Sequence, residues 1–228
     1  MKWQGTDITT KGLIALTQPE RVIARKKVDI DPIDGSDKTQ VTERGYEPYE
    51  TSVQFYCSDP DTYLDGAAVF LQGTGALISD DDANKYINAR IFDEVRFKRV
   101  GRGHKGKVAE VNFYVADPFM YKVGETTTTL TSPGNVTNAG TVDSLPLLKI
   151  TGSGTVVITI GGRSFTYVFD TPSVFIDSDS QEAYYLVPTT RKTNNMTGAF
   201  PYLTPGVNAV SWTGTVTELI ITPRSRYL

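Results

Sequence analysis

Acid–base or nucleophilic chemistry in this chain would have to recruit its one histidine, His104, and its one cysteine, Cys57. No G-x-S-x-G elbow offers a serine for His104 to activate. One His and one Cys cannot build a tetrahedral metal site. His104 lies in Arg102-Gly103-His104-Lys105-Gly106, among cations and between glycines, which reads as an exposed hairpin tip. Asp80-Asp81-Asp82 offers hard oxygen ligands for calcium, but the alternating spacing and distal bidentate Glu of a calcium loop are missing. It reads as a solvated turn between two strands. Paired carboxylates for glycoside hydrolysis depend on a separation in space, and nothing in the sequence singles out a pair. There is no phosphate-cradling G-x-x-x-x-G-K-[ST] and no dinucleotide fingerprint. The expectation is a protein without catalytic activity, cofactor or metal.

Two features suggest binding instead. Lys98, Arg99, Arg102, Lys105 and Lys107 fall within ten residues of an otherwise acidic chain of net charge −3. No aromatic is interleaved to stack a base, so a nucleic-acid site is disfavoured. The alternatives are a docking loop for an acidic partner or a solvated tip. Trp212 and Tyr184-Tyr185 are candidate sugar-stacking platforms, against which stands a core or edge packing role for Trp212.

The elements that must carry these residues are mostly strands. At 228 residues, with 21% charged, 39% hydrophobic and 11% aromatic side chains, the chain suits one large β domain or two modest ones. No run of about 18 apolar residues is present to span a bilayer. The opening Met1–Asp7 lacks the apolar core of a signal peptide, and a lone cysteine suits a reducing cytoplasm. Residues 1–124 carry 36 charged side chains and residues 125–228 only 13, the latter rich in Thr and Ser. That shift places a domain boundary near Gly124, between about Tyr121 and Asn135.

In the second half, Val156, Ile158 and Ile160 alternate with polar or smaller residues, as do Phe165, Tyr167 and Phe169, across the turn Gly161-Gly162. A two-residue turn fixes the register, setting Ile158 opposite Phe165, Val156 opposite Tyr167 and Thr159 opposite Ser164. Further strands are expected at Leu145–Ile150, Tyr184–Val187, Val207–Trp212 and Val216–Thr222, making a β-sandwich. In the first half, Ser58-Asp59-Pro60-Asp61 caps one helix, with Leu64, Ala67, Ala68 and Leu71 as its inward stripe and Gly73 as its end. Gly75–Ser79 reads as a strand. So do a segment with Ile91, Val95 and Phe97 on one face and one with Val111, Phe113 and Val115. Asp29–Tyr49 reads as a long, exposed, partly extended arm with few apolar residues and turn signals at Asp34-Gly35 and Arg44-Gly45.

The order of several motifs resembles the distal tail protein (Dit) family of long-tailed phages, mostly of Gram-positive hosts. They are Leu71–Asp81, Lys85–Ile91, Val111–Phe113 and Asp117–Tyr121, then Asn135-Val136, Leu145–Ile150, Gly152-Ser153-Gly154 as a hairpin segment, Pro205–Asn208 and Ile220–Arg226. The resemblance implies a mainly β protein: residues 1–124 a tail-tube-like, ring-forming β domain with one helix, and residues 125–228 a galectin-like β-sandwich for attachment. It implies a homo-oligomer, a hexameric ring or hub at the distal end of the tail, assembled in the host cytoplasm. The ring would link the tail tube protein to the tail-associated tip protein and to receptor-binding or baseplate proteins, with DNA only as cargo and no membrane. The chain has no room for an inserted carbohydrate-binding module, and residues 125–228 lack the histidine on which galectin-type sugar binding relies. The alternatives are a carbohydrate-binding β-sandwich module and a tail-tube or tail-completion protein.

Overall fold

Period-two alternation dominates both halves, and the computed structural model, which describes residues 1–228, is mainly β with one α-helix. It separates into two compact units, Met1–Val123 and Gly124–Tyr227. No helix is long and apolar enough to cross a membrane.

The first unit is built on an antiparallel sheet. Its strands run in the order Thr6–Asp7, Lys2–Trp3, Gly73–Ile78, Lys85–Ile91, Lys107–Val115, Tyr49–Cys57, Leu13–Ala15. Val111 lies opposite Val53 and Ala109 opposite Phe55. Alternation therefore puts Val53, Phe55, Cys57, Val111, Phe113 and Val115 on one buried face, and leaves Ser52, Gln54, Glu110 and Asn112 exposed on the other. Trp3 meets Phe113 edge-on at 5.2 Å, and its indole N–H donates to the Phe70 carbonyl at 3.1 Å. That bond ties the sheet to the end of the helix Pro60–Phe70.

Two expectations for this unit need correction. Only Pro60 and Ala67 of the helix are buried, while Ala68 is exposed and Leu71 is the buried C-cap. The helix therefore rests on the core by one narrow edge. The strand holding Ile91 stops there, and Asp93 sits in a bend that breaks the ladder. Val95 and Phe97 still pack on the core, from irregular backbone.

The arm is a hairpin of Lys26–Pro32 and Thr39–Tyr46, which pair only with each other. Ile30 faces Val41, Gly35 sits at the turn with φ +74°, and Gly45 lies inside a strand instead of at a turn.

The second unit rests on two long strands, Leu147–Ile160 and Gly206–Thr222, which pair along their length with register shifts between Thr151/Gly152 and Ser153/Val157. On one side of the shift, Leu147–Thr151 also pairs with Ser173–Asp177. On the other, Thr155–Ile160 pairs with Arg163–Val168 in the expected register, Ile158 opposite Phe165 and Val156 opposite Tyr167. Thr159 and Ser164 hydroxyls bond at 2.7 Å on the outer face. Side chains from both sides of the shift, such as Leu148, Ile176 and Ile221 with Ile158, Phe165 and Val210, share one core. One sheet thus folds over itself at a corner shared by its two longest strands.

Glycine makes the corner possible. A Cβ on Gly152 would lie 2.4 Å from the Thr215 carbonyl, and one on Gly214 would lie 2.5 Å from that of Thr155. Each long strand passes the other's backbone where it turns. Gly152-Ser153-Gly154 is therefore a bulged corner within one strand, not a hairpin, and the expected separate strands Val207–Trp212 and Val216–Thr222 are one. The strand expected at Tyr184–Val187 ends at Tyr184, because Leu186 turns the chain with φ +62°.

Gly214→Ala should lower stability by about 2–4 kcal/mol, combining the left-handed backbone with a backbone clash. Gly154→Ala, with φ +70° and open space around its Cβ, should cost only about 1 kcal/mol. Thermal melts of the two variants check the difference, and equal shifts would count against a close-packed corner.

Candidate functional site

The residues singled out for chemistry do not converge. Cys57 is fully buried in the first core, and burial pushes its thiol up from the usual value. His104 sits in the exposed loop, its backbone N–H donating to the Gly101 carbonyl at 3.3 Å. Asp80–Asp82 lie in the turn between Gly73–Ile78 and Lys85–Ile91. The Lys85 ammonium, 2.8 Å away, holds the Asp82 carboxyl below the usual range, and Asp80 accepts from Gln18 at 3.3 Å. No group of three or more His, Cys, Asp or Glu side chains is placed to hold a metal ion.

Two of the three sugar-stacking candidates, Trp212 and Tyr184, are taken up by packing. Trp212 is half-buried on the core side of its strand, opposite Ile158. Tyr184 stacks on Phe175, ring centroids 5.3 Å apart and planes 11° from parallel.

The cationic segment is a projecting hairpin. Lys98-Arg99 pairs with Lys107-Val108, and the tip turns through Gly103 at φ +88°. Lys98, Arg99, Arg102 and Lys105 are exposed and Lys107 is half-buried. Only Lys105 has a carboxylate within reach, Asp61 at 3.9 Å, both side chains 84% exposed. Val100 is an exposed apolar residue in the same loop.

The arm is the second projecting element. Seven extended residues give it a reach of about 23 Å. Val28, Ile30 and Val41 share one face and are exposed, Ile30 by 61%, and Ile33 is exposed at the turn. Across both units, twelve of the sixteen exposed large hydrophobic side chains belong to the first. Within the first unit they cluster on the arm, where Val28, Ile30, Ile33 and Val41 lie within fourteen residues.

The full-length fold has known counterparts. The chain superimposes on the Dit protein of phage SPP1, described as a paradigm of the hub adsorption apparatus in phages infecting Gram-positive bacteria. The TM-score is 0.73 at 17% identity, covering 99% of this chain and 98% of that one. The chain has the Dit fold. A chain of the phage p2 baseplate in its activated conformation with strontium matches more loosely, with TM-score 0.51 at 7% identity over 95% and 92% of the two chains. No family model and no curated protein matches the sequence.

Within the Dit fold, the second unit holds an ion pair that sequence reasoning missed. Arg224 donates to both carboxylate oxygens of Asp177, at 2.6 and 3.0 Å. Burial alone would raise the Asp177 carboxyl. The Arg224 hydrogen bonds and charge, helped by the backbone N–H groups of Asp179 and Ser180, hold it below the usual range. Arg224 pairs from a left-handed backbone, φ +52°, so the contact fixes an otherwise unfavourable turn before the last strand. The partners are 47 residues apart, and only the run Ile220–Arg226 hinted that this segment matters.

Because Asp177 binds its proton more weakly folded than unfolded, its contribution is fully present above about pH 4. It is lost as pH falls through the folded value. Asp177→Asn should cost about 1–3 kcal/mol at neutral pH and flatten the acid limb of stability, measured by denaturant melts from pH 2 to 7. A wild-type acid limb in the variant would contradict this.

Proposed function

We propose that this protein is a structural hub of a long-tailed phage, closing into a ring at the distal end of the tail. The observation that carries the reading is the end-to-end match to the SPP1 Dit fold, which leaves almost no part of either chain uncovered. Met1–Val123 forms the ring, most simply of six copies, around a channel through which DNA passes. Gly124–Tyr227 presents attachment surface for receptor-binding or baseplate proteins. The ring joins the tail tube protein on one side to the tip protein on the other, and assembles in the host cytoplasm before joining the virion. The polypeptide acts by shape and surface, without catalysis.

The distribution of exposed apolar side chains supports this division of labour. The first unit presents an apolar arm, whereas the second encloses nearly all of its large hydrophobic groups. A closed ring also covers the free sheet edges at Thr6–Asp7 and Leu13–Ala15, which would otherwise invite uncontrolled pairing. Each contact should bury more than about 1,000 Å², as stable interfaces do.

Light scattering and negative-stain imaging of the full chain should show rings that stop at one or two layers. Open-ended tubes would favour a tail-tube protein, and a monomer at all concentrations would contradict the hub. Cut near Gly124, the first unit should remain oligomeric and the second monomeric.

A further inference from the structure

A cyclic ring is held by a head-to-tail contact, so each copy must carry two different surfaces that fit each other. The first unit carries two projections of opposite charge. Along the arm, two ion pairs close near the base, Lys26 with Glu43 at 2.7 Å and Arg44 with Asp29, with Lys27 exposed beside them. The distal part, residues 31–38, holds Asp31, Asp34 and Asp37 against Lys38 alone, and none of the four forms an ion pair. The cationic hairpin holds five positive side chains, of which four have no carboxylate partner. Each projection also displays apolar surface beside its charges, Ile30 and Ile33 on the arm and Val100 on the loop.

We propose that the distal arm of one copy docks on the cationic hairpin Lys98–Lys107 of the next copy. The inference rests on the ring reading and names the surfaces that close it. Asp31, Asp34 and Asp37 face Arg99, Arg102 and Lys105, while Ile30, Ile33 and Val100 supply apolar contact. Exposed pairs each contribute little stability, but complementary fields steer encounter and fix which surface meets which. The arm's reach of about 23 Å lets it extend past its own unit. Burial against a neighbour supplies the apolar cover that its own chain does not.

The test uses two full-length charge-reversed proteins. One carries Asp31→Lys, Asp34→Lys and Asp37→Lys, the other Arg99→Glu, Arg102→Glu and Lys105→Glu. Circular dichroism melts verify that each folds like the parent. By light scattering, each alone should lose rings at concentrations where the parent forms them, its dissociation constant raised on the order of tenfold or more. An equimolar mixture should recover rings, because the reversed arm of one protein meets the reversed loop of the other, and the two unreversed surfaces meet likewise. Ring formation by the parent should also weaken with rising salt. Rings from either variant alone would overturn this contact and leave the hub standing. Folded variants that fail to recover on mixing would also overturn it, since the loop then faces some other acidic partner. A parent that never forms rings would overturn the hub reading and this contact together.

Discussion

The hairpin Lys26–Tyr46 exposes Val28, Ile30, Ile33 and Val41 because two strands enclose no interior, and the assembly proposed for this protein follows from that constraint. An isolated two-stranded ribbon is marginal in water, since ordering its backbone costs about 1–2 kcal/mol per residue and little apolar area offsets it. Internal ion pairs near the base hold the strands in register but contribute little at exposed sites. A neighbouring surface would resolve the imbalance. In the proposed ring, the element that weakens the monomer is the one that joins copies, and its unpaired aspartates set which surface it accepts.

The second unit meets the opposite demand. Two strands, Leu147–Ile160 and Gly206–Thr222, each run through both layers, so the layers share covalent continuity as well as a common core. Buried side chains such as Ile158 and Leu219 contribute roughly 1.5–3 kcal/mol each. The reciprocal approach of Gly152 and Gly214 to the facing strands lets the corner close without a gap. The Asp177–Arg224 pair pins the last turn to the sheet. A unit closed in this way can present loops to other proteins without depending on them for its fold.

Local rules made part of this legible. The turn Gly161-Gly162 leaves one register for the strands around it, so the pairing of Val156 with Tyr167 could be written down from the sequence alone. Pro60 marked the helix start, and the lone His104 marked a hairpin tip. The corner at Gly152-Ser153-Gly154 was misread because glycine serves a turn and a bulge equally well, and only the facing strand decides between them. The extended character of the arm was legible, but the charges around Val28-Asp29-Ile30 hid the strand it pairs with. Asp177 and Arg224 left no local trace, since nothing between them depends on their meeting. The cationic loop was visible as a cluster, whereas its proposed complement on the arm emerged only when Lys26 and Arg44 proved to be paired with Glu43 and Asp29, leaving the distal aspartates without partners.

Hydrogen–deuterium exchange on full-length protein tests most directly whether the arm takes its stability from a neighbour. Amides of Lys26–Asp31 and Thr39–Tyr46 should be protected in assembled particles and exchange nearly as fast as an unfolded chain after dilution to monomers, while the core strand Lys107–Val115 stays protected in both. Equal protection of the arm in monomer and assembly, or free exchange in both, would contradict the account.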